Sequence, residues 1–122
     1  MQESGEMYLK TILILGKRQN HVRSIDVAEY MNFSKPSVSR AMARLRADEC
    51  IIMDSDGLIA LTEKGRSIAE KLYIRHQVLT DVFERLGVSA EVADDDACKI
   101  EHVISDETFE ALKKHSELMT KN

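Results

Sequence analysis

Tryptophan is absent from the 122 residues, proline occurs once and cysteine only twice. No apolar run is longer than four residues, as in Ile12-Leu13-Ile14-Leu15, far short of the roughly 18 that a membrane-spanning helix needs. That excludes a helical membrane protein. The opening Met1-Gln2-Glu3-Ser4-Gly5-Glu6 is acidic and lacks the basic start of a signal or transit peptide. Cys50 and Cys98 alone make no disulfide framework, and without an export signal they read as reduced thiols. The expectation is a cytoplasmic protein. Internal repeats, low-complexity stretches and flexible linkers are missing as well.

What remains has globular composition, 43% hydrophobic and 31% charged. A chain of this size can bury about two-thirds of its unfolded surface, enough for one or two small units. The formal net charge of −4 argues against unspecific nucleic-acid binding by the whole chain, but the average hides an asymmetry. Residues 1–62 carry eight basic and eight acidic side chains, whereas 63–122 carry nine and thirteen. Within the first half, 35–47 holds Lys35, Arg40, Arg44 and Arg46 and no acid. That local excess of cations is the first functional clue.

The pattern predicts a mainly α chain. Residues 5–17 have Tyr8, Ile12 and Leu15 at helical spacing. Ser24 is a suitable N-cap for a short helix over 25–31, with Asp26 in its first turn. Asn32-Phe33-Ser34 makes a tight turn. Pro36 then falls in the first turn of a second helix over 36–48, whose Val38, Met42 and Leu45 face a core. Residues 51–53 and 58–61 flank a Gly-containing turn and predict a hairpin. Thr62 can cap a helix over 63–86 with a stripe through Ile68, Leu72, His76, Leu79, Phe83 and Leu86, stopped by Gly87. A further helix over 90–104 packs through Ala93, Ala97, Ile100 and Ile104, and Ser105 caps the last helix.

Residues 25–47 have the spacing of a helix–turn–helix, with small Ala28 where two helices cross and Met31, Phe33 and Val38 to seal the corner. The second helix exposes a polar and basic N-terminal half, the part that recognition helices offer to the major groove. The hairpin that follows supplies a two-stranded wing. Arg40 is the expected base reader, since arginine can bond a guanine edge with two parallel hydrogen bonds. Ser37 and Ser39 suit phosphate or a thymine methyl group. The plainer reading is a solvated basic face, and helix–turn–helix geometry also occurs in proteins that never touch DNA.

Residues 97–106 read Ala-Cys-Lys-Ile-Glu-His-Val-Ile-Ser-Asp. A helix would bring Cys98, Glu101 and His102, at i, i+3 and i+4, to one face apart from the apolar stripe. A thiolate, a carboxylate and an imidazole converging there suit a borderline divalent metal. They do not suit structural zinc, which favours four closed ligands with paired Cys. Two alternatives stay open: a buried small Cys98 beside a solvated Glu101, and a Cys–His nucleophile pair. Cys50, next to the wing, reads as core.

Five segments together resemble the diphtheria-toxin-repressor family of metal-dependent transcriptional repressors that control iron or manganese uptake. They are Glu6-Met7-Tyr8-Leu9-Lys10-Thr11-Ile12, Ser34-Lys35-Pro36-Ser37-Val38-Ser39-Arg40, Leu61-Thr62-Glu63-Lys64-Gly65, Arg75-His76, and the stretch from Ala97 to Asp106. The resemblance runs in order through nearly the whole chain, and the last motif is its most specific part. It implies a primary metal site of Met7, Cys98, Glu101 and His102, the iron-type set. Manganese-type members have an Asp where Met7 stands, a Glu where Lys10 stands and a Glu where Cys98 stands. The family's ancillary site is matched at His76, while Thr80 replaces a usual Glu and Asp94 a usual His. His76 and Asp94 are therefore candidates for a second site, and His76 is equally explained as a satisfied core histidine. Longer iron-type members continue into an SH3-like third domain, which is not expected within these 122 residues.

The resulting expectation is a winged-helix DNA-binding domain over 1–62 and an all-α metal-binding and dimerisation domain over 63–122. Ser34, Lys35, Pro36, Ser37, Ser39, Arg40 and Arg44 are its DNA-contacting candidates. Val103, Phe109 and Leu112 are apolar positions to bury against a twin chain. The expected activity is metal-activated repression of metal-uptake genes by a homodimer on double-stranded operator DNA, with Fe(II) as co-repressor and Mn(II) as the alternative. No enzymatic activity and no membrane are expected. The rivals are a metal-free winged-helix regulator sensing an organic ligand or an oxidant, and a helical protein-interaction adaptor.

Overall fold

A computed structural model describes residues 3–120. The elements run α1 (Glu3–Arg18), α2 (Ser24–Met31), α3 (Lys35–Ala47), β1 (Ile51–Met53), β2 (Ile59–Leu61), α4 (Glu63–Arg85), α5 (Ala90–Ile100) and α6 (Asp106–Thr120). These residues divide into two units between Glu70 and Lys71.

In the first unit α1 buries Tyr8, Leu9, Ile12, Leu13 and Leu15, and α3 buries Val38, Met42 and Leu45, the positions its spacing predicts. Asn32 adopts the left-handed conformation (φ 56°) that ends α2 and turns the chain toward α3. Ser34 caps α3, its hydroxyl accepting from Ser37 N at 3.3 Å. The wing is a two-stranded antiparallel sheet in which Ile51 pairs with Leu61. Ile59 N donates to Val22 O at 2.8 Å, which anchors the wing to the segment before α2.

Two expectations for this unit need correction. The cap of α2 is Arg23, and Ser24 is already helical. Asp26 decides this, because its carboxylate accepts from Arg23 N at 2.8 Å and an anion is favoured in a first helical turn. Phe33 does not seal the corner. It stays 47% exposed and meets Tyr8 edge-on, at 6.0 Å between ring centres.

The start of α4 is held as expected, with Thr62 Oγ1 accepting from Gly65 N at 3.1 Å while donating to Glu49 O at 2.7 Å. Gly65 is required for a different reason. A Cβ there would lie 2.0 Å from the Cys50 carbonyl oxygen, which is itself bonded by Thr62 N. Gly65→Ala is therefore expected to destabilise the chain by at least the about 1–3 kcal/mol typical of overpacking. Urea unfolding measures it, and an unshifted midpoint would contradict the close approach.

The second unit packs α4, α5 and α6 around Leu72, Leu79, Val82, Ala93, Ala97 and Phe109. Gly87 (φ 99°) stops α4. Leu86 leaves the predicted stripe and is 74% exposed, because the helical register ends one residue earlier. Ser89 caps α5, and Ser105 caps α6 by accepting from Thr108 N at 3.1 Å. The predicted helix over 90–104 is shorter than expected. It ends at Ile100, and Val103 N and Ile104 N both return to Ile100 O to make a turn. Phe109 is buried within the unit, so it is not open to a twin chain as expected, whereas Val103 is 75% exposed. No helix among the described residues is long and apolar enough to cross a membrane.

Candidate metal centre and nucleic-acid interface

The basic face of α3 is presented without an acidic neighbour on its own helix. Lys35, Pro36, Ser39, Arg40 and Arg44 are exposed, and Ser37 is half-buried. Ser34 Oγ donates to Ser37 Oγ at 2.8 Å, and Arg40 Nη2 reaches the same hydroxyl at 3.4 Å. One local network thus gathers Ser34, Ser37 and Arg40 at the helix's N-terminal half. The wing differs in charge. Asp54 Oδ1 accepts from Asp56 N and Leu58 N, each at 2.9 Å, and Arg23 Nε donates to Asp56 O at 3.3 Å. Its tip therefore carries two carboxylates and no cation of its own.

In the second unit the metal-ligating residue types form a chain of contacts. His76 on α4 places Nδ1 2.9 Å from Glu101 Oε2 and Nε2 2.7 Å from Asp94 Oδ1. Which ring nitrogen donates in these bonds depends on the tautomer. The Glu101 side chain is 0% exposed, and the nearly enclosed His102 brings Nε2 to 3.7 Å from Glu101 Oε1, beyond hydrogen-bond range. Cys98 is half-buried. Met7 is half-buried on α1, in the first unit. Thr80 Oγ1 is buried and has no hydrogen-bond partner among the described residues.

Sequence spacing put Cys98, Glu101 and His102 on one helical face away from the apolar stripe, and this is corrected twice. The helix ends before His102, which lies in the turn. Glu101 follows buried Ala97 by four positions and so continues the buried stripe instead of avoiding it. Among the described residues, no three His, Cys, Asp or Glu side chains stand ready-made to hold a metal ion. The chemistry nonetheless fits one. A buried carboxylate is costly without a cationic partner, and Glu101 lies between two imidazoles that can also ligate.

Residues 1–58 match the family model described as the N-terminal DNA binding domain of the iron dependent repressor, and 62–122 match its metal binding and dimerisation domain. The chain belongs to the iron-dependent repressor family. The resemblance carried by its motifs is thereby borne out, together with the mainly α fold and its winged helix. Among the family's members, the diphtheria toxin repressor of Corynebacterium diphtheriae is 33% identical over 116 residues, covering 92% of this chain and 50% of that protein. The HTH-type transcriptional regulator MntR of Geobacillus kaustophilus is 33% identical over 102 residues, covering 84% and 72%. The solved manganese regulator SloR superposes with a TM-score of 0.80 at 30% identity, over 91% of this chain and 52% of that one. The chain spans about half the length of the Corynebacterium repressors it matches.

One residue of this repressor-family chain has a part that sequence reasoning did not assign. Arg75, quoted only as half of Arg75-His76, is buried and bonds the turn that carries Glu101 and His102. The available signal was a cation set among the apolar positions of α4.

Proposed function

We propose that this chain is a metal-activated transcriptional repressor of metal-uptake genes, acting in the cytoplasm as a homodimer on a near-palindromic operator. Residues 1–62 serve as the winged-helix DNA-binding domain and 63–122 as the metal-binding and dimerisation domain. The chain is not an enzyme. The observation that carries this reading is the buried Glu101 carboxylate flanked by His76 and His102, in a chain whose α3 offers an acid-free basic face.

Met7, Cys98, Glu101 and His102 are the proposed ligands, with His76 and Asp94 as a second site. When bound, the ion supplies a double positive charge that these side chains share. Cys98 and Met7 contribute sulfur donors, which lean away from manganese, a hard ion, and make Fe(II) the leading co-repressor. Mn(II) is the alternative, in keeping with the manganese regulators among the relatives. Divalent-ion titration with a DNA-binding readout tests the reading. DNA affinity must rise as Fe(II) or Mn(II) saturates, and equal affinity with and without ion rejects it.

On the DNA side Ser34, Lys35, Pro36, Ser37, Ser39, Arg40 and Arg44 are the proposed contacts. The carboxylates of the wing leave phosphate binding to α3. Arg40→Ala is expected to lose discrimination between bases, at about 1–3 kcal/mol for a bidentate contact. Arg44→Ala should weaken all sequences alike and flatten the salt dependence. Fluorescence anisotropy on a selected duplex and a random duplex separates the two. An Arg40→Ala protein with the wild-type affinity ratio would remove Arg40 as the reader.

A further inference from the structure

We propose that Arg75 is the positioning residue of the metal site, fixing the turn after α5 so that Glu101 and His102 are placed as ligands. This rests on the proposed reading of those two residues as ligands. Arg75 is 6% exposed. Its Nη1 donates to Glu101 O at 3.1 Å and to Ile104 O at 2.9 Å, and its Nη2 bonds the carboxylate of Asp106. The guanidinium carbon lies 5.4 Å from the centre of the Phe109 ring. One side chain of α4 thereby holds both ends of the Glu101–Ile104 segment and ties it to the first turn of α6.

Backbone carbonyls of a turn held away from water need hydrogen-bond partners. α5 stops at Ile100, and the carbonyls of Glu101 and Ile104 find theirs in Arg75. His76, the next residue of α4, bonds the Glu101 carboxylate. Adjacent residues of α4 therefore grip Glu101 by its backbone and by its side chain. His102 sits inside the segment that Arg75 spans, so its placement follows the same constraint. Lys71 Nζ, 3.2 Å from Asp106 Oδ1, and then Arg75 hold the Asp106 carboxyl below the usual carboxylate range, which keeps the anchor ionised.

The work requires a fork and not simply a charge. Two guanidinium nitrogens serve three acceptors in different directions, which a single ammonium cannot reproduce. Arg75 Nε is buried without a hydrogen-bond partner among the described residues. An orphaned buried donor is a cost that a purely stabilising side chain would avoid. Residues that support metal ligands in this way typically change affinity by about 10–100-fold when replaced.

The experiment uses the full chain under anaerobic conditions with Co(II) as the probe, comparing wild type, Arg75→Lys and Asp106→Asn. Circular dichroism and thermal unfolding report the fold, calorimetry the affinity, and the visible Co(II) spectrum the ligand geometry. Arg75→Lys is expected to keep its helix content, lose about 10–100-fold in Co(II) affinity and change the shape of the Co(II) spectrum. Asp106→Asn, which removes one anchor only, should shift both in the same direction and less. An Arg75→Lys protein that melts lower but keeps wild-type affinity and spectrum overturns the proposal. Should Arg75→Lys not fold, wild-type affinity and spectrum in Asp106→Asn overturn it equally. Failure of the wild type to bind Co(II) instead removes the site itself, and the role of Arg75 with it.

Discussion

Saturating Fe(II) or Mn(II) is expected to tighten binding to an operator duplex selected from a random pool by about 5–150-fold, the usual range of coupled sites. Met7→Ala is expected to lose most of that gain while still binding the ion. Met7 belongs to α1 of the first unit, whereas Cys98, Glu101 and His102 belong to the second. If the proposed ion takes all four as ligands, the DNA-binding unit's response would depend on the ion. Where the arrangement that fits two half-sites is only partly populated, apparent DNA affinity falls by that fraction. Reciprocity then requires the duplex to tighten ion binding by the same factor. Met7→Ala removes one weak thioether and leaves three donors, so ion affinity should fall less than the DNA response. The measurement is anisotropy with and without ion, under anaerobic conditions that protect Cys98 from oxidation. Light scattering at micromolar concentration checks the dimer that two half-sites require. Equal DNA affinity in both conditions would favour a metal-free winged-helix regulator.

His102→Ala and Glu101→Gln should each abolish tight binding of Fe(II), Co(II) or Mn(II). Their effect should exceed the about 10–100-fold expected for a residue that only supports a ligand. The two positions differ in what else they hold. Glu101 is fully buried and bonded to His76, so Glu101→Ala would open a void and take one bond from that ring. Such a loss costs about 1–3 kcal/mol and would confuse unfolding with ligand loss. Glu101→Gln keeps the shape and a hydrogen-bonding oxygen, and it removes the charge. His102 lies in the turn beyond α5, where truncation breaks no helix. Calorimetry on both variants, with circular dichroism as the check on folding, decides the matter. Wild-type affinity in both would remove the site assignment.

The amino-acid sequence by itself determined the features that depend on neighbours a few residues away. Val38, Met42 and Leu45 recur at the helical period and are buried. Thr62 and Ser105 are hydroxyl caps, and each accepts from the backbone N–H three residues on. The donor types of the proposed metal site were legible for a similar reason, since Cys98, Glu101 and His102 lie within five consecutive positions. Tertiary structure alone decided where α5 ends, because the carbonyls of Glu101 and Ile104 bond an arginine 26 and 29 positions away. It also decided that Glu101 is buried, through the bond to His76 from another helix. Periodicity tells which residues of one element share a face, but not which distant side chain will satisfy a polar group there. A buried carboxylate or a helix end takes its place from that partner, and the partner is set only when α4, α5 and α6 come together.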